Sequence, residues 1–247
     1  SWIKKTVMRR YNIETGAAVT FEDADRSPNA ILPIDTKLVP DASTIAISKG
    51  KVYVFVPGNE FYRMTPATGA IEFSSHVSEL IAIEDHKDEL YGLFADGTVA
   101  TLDPNGVITS KLFTAKNLKK PVRFAFAQDD SKIAITDQEA NQVHWFDIKG
   151  NPILSIGKPY VAVDGKRPAG KFNDTDLIDP LGLAFDSQGR LWLAEAEGTN
   201  RRITCWNSAG KLEHQYWGGA DYGAMAAFPL TYDSTRFIAH GVEFKLD

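Results

Sequence analysis

Two carboxylates that close apolar runs are the first chemistry the sequence offers. Asp137 ends the run Ile133–Asp137, Glu195 ends Leu191–Glu195, and Glu197 follows two residues later. Carboxylates converging on one loop face could hold Ca²⁺ or another hard cation, which takes about six to eight oxygen ligands. Such repeated carboxylates more often accept hydrogen bonds from turns or pair with Arg201 or Arg202, which is the favoured reading, with the cation site as its alternative. His240 ends another apolar run, at the position equivalent to Ala194, with Tyr222 and Glu243 close in sequence. It is the candidate catalytic histidine; His76, His86, His144 and His214 are scattered without ligand spacing. The candidate ligand-binding set is therefore Asp137, Glu195, Glu197, Arg201, Arg202, Tyr222 and His240.

Trp192, Trp206, Tyr216, Trp217 and Tyr222 crowd the last third of the chain. Exposed, they could stack on sugar rings; buried, they would fill gaps between sheets. Cys205 is the only cysteine, which excludes an internal disulfide, a multi-cysteine zinc site and CxxCH haem attachment. It lies mid-strand without a basic neighbour and reads as an inert buried thiol. GxSxG, HExxH, P-loop and dinucleotide fingerprints are absent in any supporting context. With 27 Lys and Arg against 32 Asp and Glu, the net charge of −5 argues against a nucleic-acid partner. The pairs Lys119–Lys120 and Arg201–Arg202 read as ordinary surface cations. No apolar run reaches the roughly 18 residues of a membrane span, and no leader is visible after Ser1.

These side chains sit on a repeat. Four units share a plan: a strand with a small residue, a polar turn, an apolar strand, a third strand, and a turn ending in glycine. The units cover about 41–78, 79–117, 118–157 and 178–217. From second-strand start to turn glycine (Val52 to Gly69, Leu90 to Gly106, Ile133 to Gly150, Leu191 to Gly210), the separations are 17, 16, 17 and 19 residues. Short β-branched and aromatic runs between Gly, Asn and Asp turns are antiparallel meander strands. Ala46, Ala82, Ala125 and Ala184 fall in the first strand of each unit, where converging blades of a propeller leave little room. The 158–179 connection is the longest, and a loop of that length is a candidate binding element or a solvated excursion.

The two ends are complementary. Residues 11–21 match only the third and fourth strands of a unit, and 228–240 match only the first and second. Pairing them would close a ring through a composite blade built from 1–21 and 222–247, leaving no free edge. The expected fold is all-β: one β-propeller domain over 1–247 with five to six four-stranded blades, six being preferred.

The third and fourth units resemble NHL repeats. Ile133-Ala-Ile-Thr-Asp137, Asn141-Gln-Val143 and Trp145-Phe-Asp-Ile-Lys-Gly150 carry the likeness. So does the run from Asp179 to Glu195, followed by Asn200-Arg201-Arg202-Ile203. Glu195 stands where the family usually has Asp, and 196–199 is an insertion. The C-terminal stretch is similar to NHL-type domains of large bacterial extracytoplasmic proteins, which implies a periplasmic or secreted location. With no catalytic constellation visible in the sequence, the leading reading is a non-catalytic binding or scaffold module for a protein or glycan-like ligand at a propeller face, without a cofactor. A metal-dependent hydrolase or lyase, lactonase-like or peptidyl-glycolate-lyase-like, is the alternative, and a structural subunit of a larger assembly is a third.

Overall fold

A computed structural model of the chain describes residues 7–12, 14–22, 24, 26, 36–38, 43–158, 175–195, 202–217, 227–230, 233–239 and 242–245. Among these there is no helix, and every strand pairing is antiparallel. Two compact units divide the chain, Ser1–Thr114 and Ala115–Asp247.

The first unit opens with β1 (Val7–Arg9) paired to β2 (Thr36–Leu38). Its first blade is β3 (Thr44–Ser48), β4 (Lys51–Val56), β5 (Glu60–Met64) and β6 (Ile71–His76). The second blade is β7 (Leu80–His86), β8 (Glu89–Phe94), β9 (Thr98–Leu102) and β10 (Ile108–Thr114). In the second unit, the third blade is β11 (Pro121–Phe126), β12 (Ile133–Asp137), β13 (Gln142–Phe146) and β14 (Pro152–Gly157). The fourth is β15 (Pro180–Phe185), β16 (Leu191–Glu195), β17 (Arg202–Trp206) and β18 (Leu212–Trp217). A three-stranded sheet follows: β19 (Ala227–Leu230), β20 (Asp233–Ala239) and β21 (Val242–Lys245).

Turn chemistry explains the constant repeat spacing. Asp103, Asp147 and Asn207 each follow a third strand, and one side-chain oxygen of each accepts two backbone N–H groups, two and four residues on, at 2.8–3.1 Å. The glycine three residues on closes each turn, at φ of +81° for Gly106, +85° for Gly150 and +73° for Gly210. Short polar side chains that mimic a backbone turn, followed by a residue free to take positive φ, make such hairpins form locally. Asp186 builds the same turn between β15 and β16.

Neighbouring blades meet through their first strands: β3 lies against β7 in the first unit, and β11 against β15 in the second. Between the first two blades, Ala46, Tyr53, Phe55 and Phe61 pack on Leu80, Ile83, Leu90 and Leu102. Between the third and fourth, Ala125, Val143, Trp145 and Ile156 pack on Phe185, Leu191, Leu193 and Trp206. Burying such side chains is worth about 1.5–3 kcal/mol each before entropy is counted. Ala46, Ala82 and Ala125 are buried as the repeat expects, whereas Ala184 is exposed. Among the described residues no blade packs on its face in the way the fourth blade seals Ala125.

The chain ends differ from expectation in two respects. Instead of five to six four-stranded blades, the described residues form four complete ones, because each end supplies fewer strands than a whole unit. In the N-terminal segment Tyr11 bridges Ala18 in a short hairpin, and Asn12 Oδ1 caps the N–H groups of Glu14 and Thr15. That hairpin docks on the first blade, with Phe21 fully buried beside Val52, Val54 and Met64, and Arg10 Nη1 donating to Ala67 O at 2.8 Å. At the other end, β20 uses both its edges within its own sheet, pairing with β19 and β21. The composite pairing of 11–21 with 236–244 is thus not among the described pairings; Val242–Lys245 supplies the third strand in its place.

Candidate functional site

Asp137 and Glu195 end the second strands of consecutive blades, and both are buried. Asp137 Oδ2 accepts the Lys119 N–H at 2.7 Å, and Oδ1 accepts those of Lys120 at 2.9 Å and Ala140 at 3.3 Å. One carboxylate thereby ties the segment entering β11 to the turn leaving β12. Glu195 repeats the device with its longer arm. Its Oε2 accepts the Ile178 N–H at 3.0 Å, next to the start of β15, while Oε1 accepts Arg202 Nε at 2.9 Å and Nη2 at 2.6 Å.

Arg202 is 1% exposed. Its Nη2 also donates to Asp176 O at 2.6 Å and its Nη1 to Gln215 Oε1 at 3.2 Å, and its guanidinium lies 5.3 Å from the Trp217 ring centroid. In the third blade Gln142 holds the equivalent register position, opposite Asp137. Burial pushes the Glu195 carboxyl up, and the Arg202 charge and the donated hydrogen bonds oppose that rise. The ion pair fastens the C-terminal end of the long 158–179 connection to the blade.

This geometry bears directly on cation binding. Each carboxylate oxygen already faces an N–H or guanidinium donor, the opposite polarity to the oxygen cage a hard cation needs. Among the described residues no group of three or more His, Cys, Asp or Glu is placed to hold a metal. Of the candidate set, the structure brings Glu195 and Arg202 together and sets Asp137 at the equivalent point one blade earlier. Glu197, Arg201, Tyr222 and His240 lie outside the described residues, as does most of the 158–179 connection.

Two arrangements were not singled out from the sequence. His144 Nδ1 lies 2.8 Å from Ser155 Oγ, across the β13–β14 register, and its Nε2 lies 3.9 Å from Asp137 Oδ2. Ser, His and Asp are aligned, but the second distance exceeds hydrogen-bond reach and the Asp137 oxygens are already engaged, so a nucleophile relay is not assembled. Burial lowers the His144 pKa, partly offset by the Asp137 charge. On β7, Glu84 is pushed up to about 7, by burial first and by adjacent Asp85 second. Asp85 Oδ1 is buried without a hydrogen bond. Two carboxylates within an otherwise apolar first strand were the visible sequence signal for this pair; the His144–Ser155 contact depends on register alone.

The aromatic cluster divides. Trp206 is buried, its Nε1 donating to Thr204 Oγ1 at 2.7 Å. Tyr216 and Trp217 are 55% and 39% exposed, so gap-filling does not describe them. Cys205 is buried, and burial raises its thiol pKa, as expected of an inert cysteine.

Four-stranded antiparallel meanders, packed first strand to first strand within each unit, define the class: the fold is a β-propeller. A protein of unknown function from Bacteroides caccae shares it, with a TM-score of 0.54 at 11% identity over 79% of this chain and 70% of that one. Virginiamycin B lyase from Staphylococcus aureus matches with a TM-score of 0.49 at 16% identity, over 75% of this chain and 61% of the lyase. This chain therefore spans less than two thirds of the lyase's length. No family profile matches the sequence. No curated protein matches it either. Among the described residues no helix is long and apolar enough to cross a membrane.

Proposed function

We propose that the chain is a single NHL-type β-propeller domain, residues 1–247, acting as an extracytoplasmic binding or scaffold module for a protein or glycan-like ligand. The observation that supports this is the use of Asp137 and Glu195 as buried clamps. They fix loops from within and leave the ligand-facing chemistry to the rim around them. Exposed Lys116, Lys119, Lys120 and Glu139 sit at that rim. Loops held on a rigid frame are how propellers and similar scaffolds present binding surfaces.

A metal-dependent propeller hydrolase or lyase is the second reading. Glu84 favours it, because a carboxyl titrating at about 7 is suited to general acid–base work. Metal analysis of the purified full chain separates the two. The binding module is expected metal-free, with a melting temperature unmoved by chelator. Stoichiometric, chelator-sensitive Ca²⁺ or Zn²⁺ would overturn it in favour of the enzyme.

A further inference from the structure

The rim end of the fourth blade carries an aromatic that the repeat does not require. The last residue of the outer strand, opposite the first residue of the third strand, is His76 in the first blade, Thr114 in the second and Gly157 in the third. In the fourth blade it is Trp217, opposite Arg202. Register puts Trp217 in one row with Arg202 and Glu195, and Gln215 in the row of Thr204 and Leu193. Both rows lie on the face that the fourth blade turns to the third, where Leu191 and Leu193 join Val143, Trp145 and Ile156 in one core. Tyr216 belongs to the other face, with Ala194 and Ile203.

The Trp217 ring is held from behind. The Arg202 guanidinium lies 5.3 Å from its centroid, and that guanidinium is fixed in turn by Glu195 Oε1, Asp176 O and Gln215 Oε1. A cation seated on an aromatic face contributes about 0.5–2 kcal/mol, and a fixed one also sets the tilt of the ring. With one face backed in this way, Trp217 is still 39% exposed. Two polar side chains flank the same guanidinium. Gln215 Oε1 accepts from Arg202, which leaves the amide NH₂ to donate elsewhere. Asp176 gives Arg202 its main-chain oxygen, and its Oδ1 is buried without a hydrogen-bond donor among the described residues. An acceptor left in that state costs about 1–3 kcal/mol, so an O–H brought to it by a ligand is stabilising.

An exposed indole beside a carboxylate acceptor and an amide donor is the chemistry that recognises a pyranose. The C–H groups on the flat side of the sugar lie on the π-system, and a few polar groups fix the hydroxyls. Charge then selects among sugars. Glu195 and Arg202 cancel, so Asp176 is the surplus charge of the group, and an acidic sugar would meet a like charge. We propose that Trp217, backed by Arg202, is the stacking platform of a binding site for neutral oligosaccharides, with Asp176 and Gln215 engaging the hydroxyls. The site rests on the binding-module reading and gives that module its ligand class. Arg202 and Glu195 touch no sugar in it; they position the ring.

Isothermal titration of the full chain with cellohexaose, mannohexaose and chitohexaose tests it, with a galacturonate hexamer as the acidic control. Saturable binding of at least one neutral hexamer, and none of the acidic one, is expected. Trp217→Ala is expected to weaken that binding by about tenfold or more. Asp176→Asn is expected to weaken it by about tenfold. Tyr216→Ala, on the opposite face, changes it less than about twofold. Should Trp217→Ala fail to fold, Asp176→Asn carries the test, because it keeps the main-chain contact to Arg202. Failure of every neutral hexamer to bind overturns the site. So does binding that Trp217→Ala and Asp176→Asn leave unchanged, or equal binding of the acidic hexamer. The module reading falls separately, to the stoichiometric metal described above, so the two failures are told apart.

Discussion

At the residue scale the chemistry is decided by which side of a carboxylate the donors occupy. Asp137 and Glu195 could be picked out from sequence because each ends an apolar run. Their hydrogen-bond partners, the N–H groups of residues 119, 120 and 178, depend on how the incoming segment is threaded, which spacing does not encode. Removing one member of the buried pair has a definite cost. Arg202→Ala leaves Glu195 buried without its counter-charge and is expected to lower stability by about 3–5 kcal/mol, read by chemical denaturation. Arg202→Lys should recover only part of that, because a single ammonium cannot reproduce the forked contact. Glu84 makes a prediction about pH. Its folded pKa of about 7 lies above the ordinary 4.5. Its contribution is therefore fully present below about pH 4.5 and lost as pH rises through about 7. Glu84→Gln should melt with the parent in acid and on the order of 2–4 °C above it at pH 8, read by thermal denaturation at both pH values.

At the element scale, the hairpin turns hold the blades in register and also press them together. Gly106 closes the β9–β10 turn at φ +81°, and a Cβ there would come within 2.8 Å of Val77 Cγ2 and 3.1 Å of the Phe61 ring in the first blade. Gly210, the equivalent in the fourth blade, faces Leu154 of the third blade at 3.1 Å. Gly106→Ala should therefore cost about 1–3 kcal/mol, from backbone strain and overpacking together, measured by the denaturation midpoint. Gly189 also has positive φ, +71°, but a Cβ there meets nothing within 4 Å. Gly189→Ala should cost only the smaller strain component, about 1 kcal/mol. The turns were legible because Asx–Gly spacing is local chemistry. The strands were legible for the same reason, apolar alternation with a period of two. The strand partners at the chain ends were not: β19–β20 and the 11–18 hairpin each looked like half a unit, and only the pairing of β20 with β21 reveals a third strand there.

For the whole molecule, the repeat supplied the fold class but not the function. Blades three and four bear the strongest likeness to one another, and they are the ones whose second strands end in a buried carboxylate. In the second blade the paired position belongs to Phe94, opposite Leu80 as Asp137 is opposite Pro121. The clamp is therefore a property of part of the molecule, and it makes one loop rim stiffer than a bare turn would be. On the proposed binding reading, a rim held this way needs no ordering before a ligand arrives, which is the advantage of preorganisation. Amide hydrogen exchange at Lys119, Lys120 and Ile178, followed with and without Ca²⁺, measures that stiffness most directly. The account predicts exchange as slow as in the neighbouring strands, unaffected by Ca²⁺, and accelerated at Lys119 and Lys120 by Asp137→Ala. Fast exchange in the parent chain, or protection that appears only when Ca²⁺ is added, would contradict it.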